Sequence, residues 1–194
     1  MKTPIVVLVH GFLDHGSLFN RLRHDLRKQG FEVYAINLKP NDGRHGIEPL
    51  AEQLKNFIDS ISAPAQTVAL IGFSMGGIVC RYYLQCLNGL TKVHRFISIA
   101  SPHQGTYTAY GLPIKACRQM QPGSRFLAKL NEKVDLLKPA NPVSLWTPYD
   151  LMIVPAHSAI LRIGETVKLP VWFHRWMARD KRVIECITAV LADS

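Results

Sequence analysis

The chain has 194 residues, 47% hydrophobic and 19% charged, which fits one compact domain and excludes a disordered or fibrous chain. A chain of this size can bury roughly 70% of the surface that its unfolded form exposes. The formal net charge is +9. The basic runs at Arg21, Arg23, Arg27 and Lys28, and at Arg175, Arg179, Lys181 and Arg182, lack any helix-turn-helix, zinc-finger or RNP-like aromatic pattern. A solvated basic face is therefore expected, and nucleic acid is not.

The segment Met1–Val9 lacks the apolar length and the small-residue cleavage site of a signal peptide, and runs into a motif treated below. It reads as a first core strand, centred on Ile5–Val9. No apolar run approaches bilayer length. A cytoplasmic protein is the expectation, although a mature secreted form without its leader would look the same.

Ser17 reads as an N-cap for a helix carrying Leu18, Phe19, Leu22 and Leu26, and Gly30 ends it. Phe31–Ile36 follows as a strand. Ile47, Leu50, Leu54, Phe57, Ile58 and Ile61 repeat with the 3.6-residue period of a second helix. Val68–Ile71 is a buried strand, Ile78–Leu87 a helix and Val93–Ala100 another strand. From 101 to 142 the pattern turns irregular, broken by Pro102, Pro113, Pro122 and Pro139. Val143–Thr147 and Val167–Phe173 read as later strands, and Val183, Ile184, Ile187, Val190 and Leu191 mark a final helix. Such alternation predicts an α/β fold, a mostly parallel sheet with helices on both faces, in a single domain over 1–194 with one long excursion at about 101–142.

The four cysteines form no framework. Cys80 and Cys86 share one predicted helix about 9 Å apart along its axis, beyond disulfide reach. Cys117 and Cys186 are isolated, no C-x-x-C pair suits zinc, and all four read as mostly buried free thiols.

The chemistry concentrates at Gly72-Phe73-Ser74-Met75-Gly76, a G-x-S-x-G pattern between the strand and the helix. A serine on such a corner sits above the sheet, with glycines giving backbone clearance and the helix N-terminus facing any anion that forms. A glycine-rich turn that merely contains serine is the plainer reading. A serine nucleophile needs a base, and the base an orienting acid, from the carboxyl ends of later strands. Asp150 follows the strand at Val143–Thr147, and His174 follows Val171-Trp172-Phe173. The rival acid Asp135 lies in a charged helix-like stretch, and the rival base His157 shares a connection with Asp150. His24 and His94 read as surface helix or loop residues. An oxyanion hole needs two converging backbone N–H groups. Met75 would supply one and Phe12, in His10-Gly11-Phe12 at the end of the first strand, the other. His10 is expected to brace that loop.

Taken together, Val7-Leu8-Val9-His10-Gly11-Phe12, Gly72-Phe73-Ser74-Met75-Gly76-Gly77, Tyr149-Asp150-Leu151-Met152-Ile153-Val154 and His174 resemble the α/β-hydrolase family. The likeness is strongest to its small, lid-poor bacterial lipases and esterases of triacylglycerol-lipase type, and runs from about Ile5 to Leu191. It implies a minimal α/β-hydrolase with about six parallel strands and no metal or organic cofactor. It implies that Ser74 attacks a carboxylic ester, His174 shuttles the proton, Asp150 orients the imidazole, and the Phe12 and Met75 N–H groups hold the oxyanion. The substrate would be a small ester or a lipid. An acyl thioesterase or acyltransferase would use the same triad, and a lipid- or acyl-binding protein on this fold is the non-enzyme alternative.

Two stretches depart from the minimal pattern. The 101–142 excursion, with Ser101-Pro102-His103-Gln104-Gly105 and a helical Phe126, Leu127, Leu130 spacing, is expected to cap the acyl pocket. Arg175, Trp176 and Arg179 beside His174 form a basic and aromatic fringe suited to contact with an anionic lipid surface.

Overall fold

The computed structural model describes residues 5–63 and 66–192. Met1–Pro4, which the sequence runs into the first strand, lie outside them.

Six strands form one sheet: β1 (Ile5–Val9), β2 (Glu32–Ile36), β3 (Val68–Phe73), β4 (Val93–Ile99), β5 (Val143–Trp146) and β6 (Glu165–Lys168). Their order is β2-β1-β3-β4-β5-β6 and every pairing is parallel. Around it lie α1 (Asn20–Lys28), α2 (Ile47–Ile61), α3 (Met75–Cys86), α4 (Lys115–Gln119), α5 (Arg125–Glu132) and α6 (Lys181–Ala192). No helix among the described residues is long and apolar enough to cross a membrane.

All five residues of β1 are buried, because alternate side chains enter two different cores. Ile5, Val7 and Val9 pack with α2 and α3, whereas Val6 and Leu8 pack with α1 and α6. β1 thus leads to a helix on one face and its neighbour β3 to a helix on the other. Their following loops part at the carboxyl edge of the sheet, where a crevice opens and ligands of such sheets bind.

Several boundaries move from the expected ones. Ser17 does not cap α1 but lies inside a 3-10 turn at Gly16–Phe19, and α1 starts at Asn20. β3 runs on through Gly72 and Phe73, which pair with Ser98 and Ile99. α3 starts directly after Ser74 despite Gly76 and Gly77, residues that local propensity would keep out of a helix. His94 is a half-buried residue of β4, not a surface loop residue, while His24 is exposed on α1. The last strand is earlier than expected, at Glu165–Lys168, with only Val167 of its side chains partly covered. Pro170 has no N–H for a ladder, so the chain leaves the sheet there. Residues 169–180 return as an irregular strap across the carboxyl edge to α1.

The 101–142 stretch folds into turns at Tyr107–Gly111 and Val134–Ala140 around α4 and α5. Its Ala109, Ala116, Cys117, Met120, Leu127, Leu130, Leu137 and Ala140 are buried in the core that α2 and α3 share. Ser124 caps α5 by accepting from the Leu127 N–H at 3.2 Å.

The thiols are all free, but only Cys80 and Cys117 are buried; Cys186 is half-buried and Cys86 exposed. Burial raises the pKa of each, Cys80 most clearly, so none is poised as a thiolate.

Candidate active site

Ser74 joins β3 to α3 with φ 54° and ψ −124°, a conformation that side-chain-bearing residues seldom adopt. Its N–H donates to the Ile99 carbonyl at 2.9 Å, which fastens the corner to β4. The corner also presses against β1. A Cβ on Gly76 would lie 2.2 Å from the Val9 carbonyl oxygen, and one on Gly11 would lie 3.0 Å from Ser74 Cβ. Glycine at both positions lets the loop after β1 and the first turn of α3 meet.

His10 fixes that loop. Its Nε2 accepts the Leu38 N–H at 3.0 Å, so Nδ1 carries the proton and donates to the Gly11 carbonyl at 2.8 Å. Burial lowers its pKa against the raising effect of the Gly11 bond, and the ring remains a neutral brace as expected. Leu13 follows with φ 55°, its N–H bound to the Asn41 carbonyl at 2.9 Å. The Asn41 side chain in turn donates to the Asp14 carbonyl at 3.1 Å. The Phe12 and Met75 N–H groups donate to no protein acceptor among the described residues. Met75 heads α3, where backbone N–H groups have no partner within the helix.

Asp150 and His174 meet across 2.8 Å, His174 Nδ1 donating to Asp150 Oδ2. The other carboxylate oxygen accepts the Met152 and Ile153 N–H groups, each at 2.9 Å, so the acid is fixed at both oxygens. Its side chain is 2% exposed and that of His174 13%. The His174 ring packs on Phe73, the residue before Ser74, with centroids 4.8 Å apart. Thr147 Oγ1 donates to the Val171 carbonyl at 2.6 Å and ties the end of β5 to the strap.

Ser74 and His174 line one cleft of about 470 Å³, walled by Phe12, Leu13, Leu151, Met152, Trp172 and Phe173. Its size suits a small-molecule or acyl ligand, for which roughly 300–1,000 Å³ is usual. No residue of the 101–142 stretch lines it. That stretch instead props one wall, since the Thr106 and Thr108 hydroxyls donate to the Met152 carbonyl at 2.9 and 2.6 Å.

The rivals stand elsewhere. Asp135 is 73% exposed and paired with Lys138, and His157 is exposed beside a different surface depression. Leu13, Asp14, Asn41, Leu151, Met152 and Trp172 join the site without having been singled out. The positive φ at Leu13 has no local sequence signal, and the Leu13 N–H bonds to Asn41 from the loop after β2.

This fold and cleft are those of an α/β-hydrolase. Residues 5–134, about two thirds of the chain, match the family described as palmitoyl protein thioesterase, and the chain belongs to that family. The human lysosomal thioesterase PPT2 is 35% identical over 107 residues, covering 53% of this chain and 35% of that protein. A triacylglycerol lipase of Pseudarthrobacter phenanthrenivorans is 31% identical over 109 residues, covering 52% and 34% respectively. The matched stretch spans about a third of the length of these curated relatives. The mature form of Bacillus licheniformis lipase BlEst2 is similar in fold, with TM-score 0.78 and 19% identity over 97% of this chain and 92% of that one.

Proposed function

We propose that this protein is a serine hydrolase that releases acyl chains from oxygen esters or thioesters through an acyl-enzyme. The observation that carries this reading is the convergence, in one cleft, of Ser74 on its positive-φ corner with the His174–Asp150 pair. Nδ1 of His174 is committed to Asp150, so Nε2 is the nitrogen free to take the Ser74 proton. Ser74 Oγ attacks the carbonyl carbon, and the oxyanion gathers at the Phe12 and Met75 N–H groups. Collapse expels the alcohol or thiol, which leaves with the proton from His174. Water, deprotonated by the same nitrogen, then cleaves the acyl-serine and returns Ser74 to its starting state.

The names of the relatives, thioesterase and triacylglycerol lipase, support an acyl substrate and both leaving groups. The apolar wall from Phe12 to Phe173 suits the acyl chain. In this reading residues 1–194 act as one domain, and the 101–142 stretch supports the cleft wall rather than covering it. Exposed Trp172, Phe173 and Trp176, beside Arg175 and Arg179, would let the cleft mouth rest on an anionic lipid surface. Flotation with neutral and anionic vesicles at low and high salt tests that contact, and equal, salt-insensitive binding to both would contradict it.

The activity is tested on p-nitrophenyl esters from C2 to C16 and on acyl-N-acetylcysteamine thioesters of matching length, with wild type and Ser74→Ala. Turnover that needs Ser74 and improves with chain length is expected. Folded wild type no faster than the variant on either series would overturn the reading in favour of an acyl-binding protein.

A further inference from the structure

The segments after β1 and β6 meet at the cleft although β3, β4 and β5 stand between those strands in the sheet. No ladder can hold the two segments together, so side chains must. Asp14 lies two residues beyond Phe12, Arg175 directly follows His174, and both line the cleft with Ser74. An Arg175 guanidinium nitrogen sits 2.6 Å from Asp14 Oδ1. That oxygen makes no aligned hydrogen bond, so the contact is ionic rather than directional. The Asp14 side chain is 9% exposed and that of Arg175 61%. Further along the strap, Met177 and Ala178 share a core with Leu18, Phe19 and Leu22. The other polar ties to the N-terminal layer, Arg179 Nε to the Leu18 carbonyl at 3.4 Å and Arg21 Nη1 to the Arg179 carbonyl at 3.5 Å, are longer and lie further along the chain from His174.

We propose that Asp14 and Arg175 form a positioning pair that holds the His174 strap against the oxyanion loop and neutralises a carboxylate beside the reacting carbonyl. The role rests on the serine-hydrolase reading above. A largely buried carboxylate without a counter-charge is unfavourable in itself. Next to a developing oxyanion it would also oppose the charge that the Phe12 and Met75 N–H groups are placed to receive. Arg175, which lines the cleft and meets Asp14 Oδ1, removes both effects.

The test is a double-mutant cycle of Arg175→Gln, Asp14→Asn and the two combined, with Arg175→Lys as the conservative control. It is read by kcat and KM separately and, without substrate, by amide hydrogen exchange across residues 169–180. For a coupled contact pair, Arg175→Gln should lower kcat/KM about tenfold, mainly in kcat, and speed exchange in that segment. Asp14→Asn should speed exchange likewise but cost less in kcat, because it leaves no bare carboxylate beside the carbonyl. The double variant should exchange fast yet recover kcat/KM to within about threefold, and Arg175→Lys should keep the wild-type values of both. Should Arg175→Gln alone fail to fold, the exchange of Asp14→Asn and the kinetics of the double variant, measured against wild type, still decide. Unchanged exchange in both single variants, or a double variant about tenfold or more below wild type in kcat/KM, would overturn the pair. Exchange is read without substrate, so a wild type lacking Ser74-dependent turnover would sink the hydrolase reading and leave the contact between strap and loop standing.

Discussion

At the Ser74 corner, the contacts that set the geometry come from β1, β3, β4 and α3, elements that touch along the middle of the sheet. The strap that delivers His174 has no ladder of its own beyond Leu169, whose N–H still reaches the Trp146 carbonyl at 2.9 Å. From there it depends on the burial of Val171, Met177 and Ala178 in the core shared with α1 and α6, the Thr147–Val171 bond, the Asp150–His174 pair, the packing of His174 on Phe73 and three arginine contacts. One region is rigid because backbones are jammed together at glycines. The other is placed by side chains reaching from distant parts of the chain. The proposed nucleophile is therefore placed by neighbouring strands, while the proposed base is placed by tertiary contacts.

On the proposed serine-hydrolase reading, removing the reacting groups should give the largest effects. Ser74→Ala and His174→Ala should each lower kcat by on the order of 10⁵-fold or more, and Asp150→Asn by roughly 10⁴-fold, because the imidazole loses its orientation. Steady-state rates on the best acyl substrate check all three. Near-normal activity in Asp150→Asn would return attention to Asp135.

The rigid corner should break next. A Cβ at Gly76 has nowhere to go between the Val9 and His10 carbonyls, at 2.2 and 2.5 Å. Gly76→Ala should therefore cost about 3 kcal/mol or more and take activity with it, read by denaturant unfolding and turnover together. In the strap, Trp172→Ala should leave stability within about 1 kcal/mol, since that ring is 64% exposed. It should instead raise KM for long acyl chains more than for short ones.

The smallest expected effect concerns acid. Burial lowers the pKa of His10, His94 and His103 from the ordinary 6.5, His103 furthest, with Arg81 adding to it. As pH falls below about 6.5 the unfolded chain takes up these protons before the folded one does. Stability is thus complete above that pH and declines towards the lower folded values. The melting temperature should drop by a few degrees between pH 7.5 and pH 5, and His103→Gln should flatten the slope. A melting temperature that rises on acidification would contradict this account.

The contrast also explains what the sequence made legible. β1, α2 and the corner were readable because hydrophobic period and glycine spacing are local, and the boundaries at Ile5–Val9 and Ile47–Ile61 match the expected ones. The family match, too, ends at residue 134, before Asp150 and His174. Those two were found from their places after strands, yet His174 does not follow a strand at all, because Pro170 ends the sheet pairing early. The residue that pairs with Asp150 was reached through a strand that is not there, since an apolar run such as Val171-Trp172-Phe173 looks the same in a strand as in a strap. The excursion misled for a similar reason. Helical spacing at Phe126, Leu127 and Leu130 says that an apolar face exists, and only packing reveals that it covers the core instead of the cleft. Asp14 was invisible, because an ion pair 161 positions away in the chain leaves no local pattern.

The most direct test of the central claim is covalent. Wild type, Ser74→Ala and His174→Ala would be incubated with a fluorophosphonate probe, and the adducts located by intact mass and peptide mapping. One adduct on Ser74, absent from Ser74→Ala and strongly slowed in His174→Ala, is the result the account predicts. Folded wild type that takes no label, or takes it on a residue other than Ser74, would contradict it.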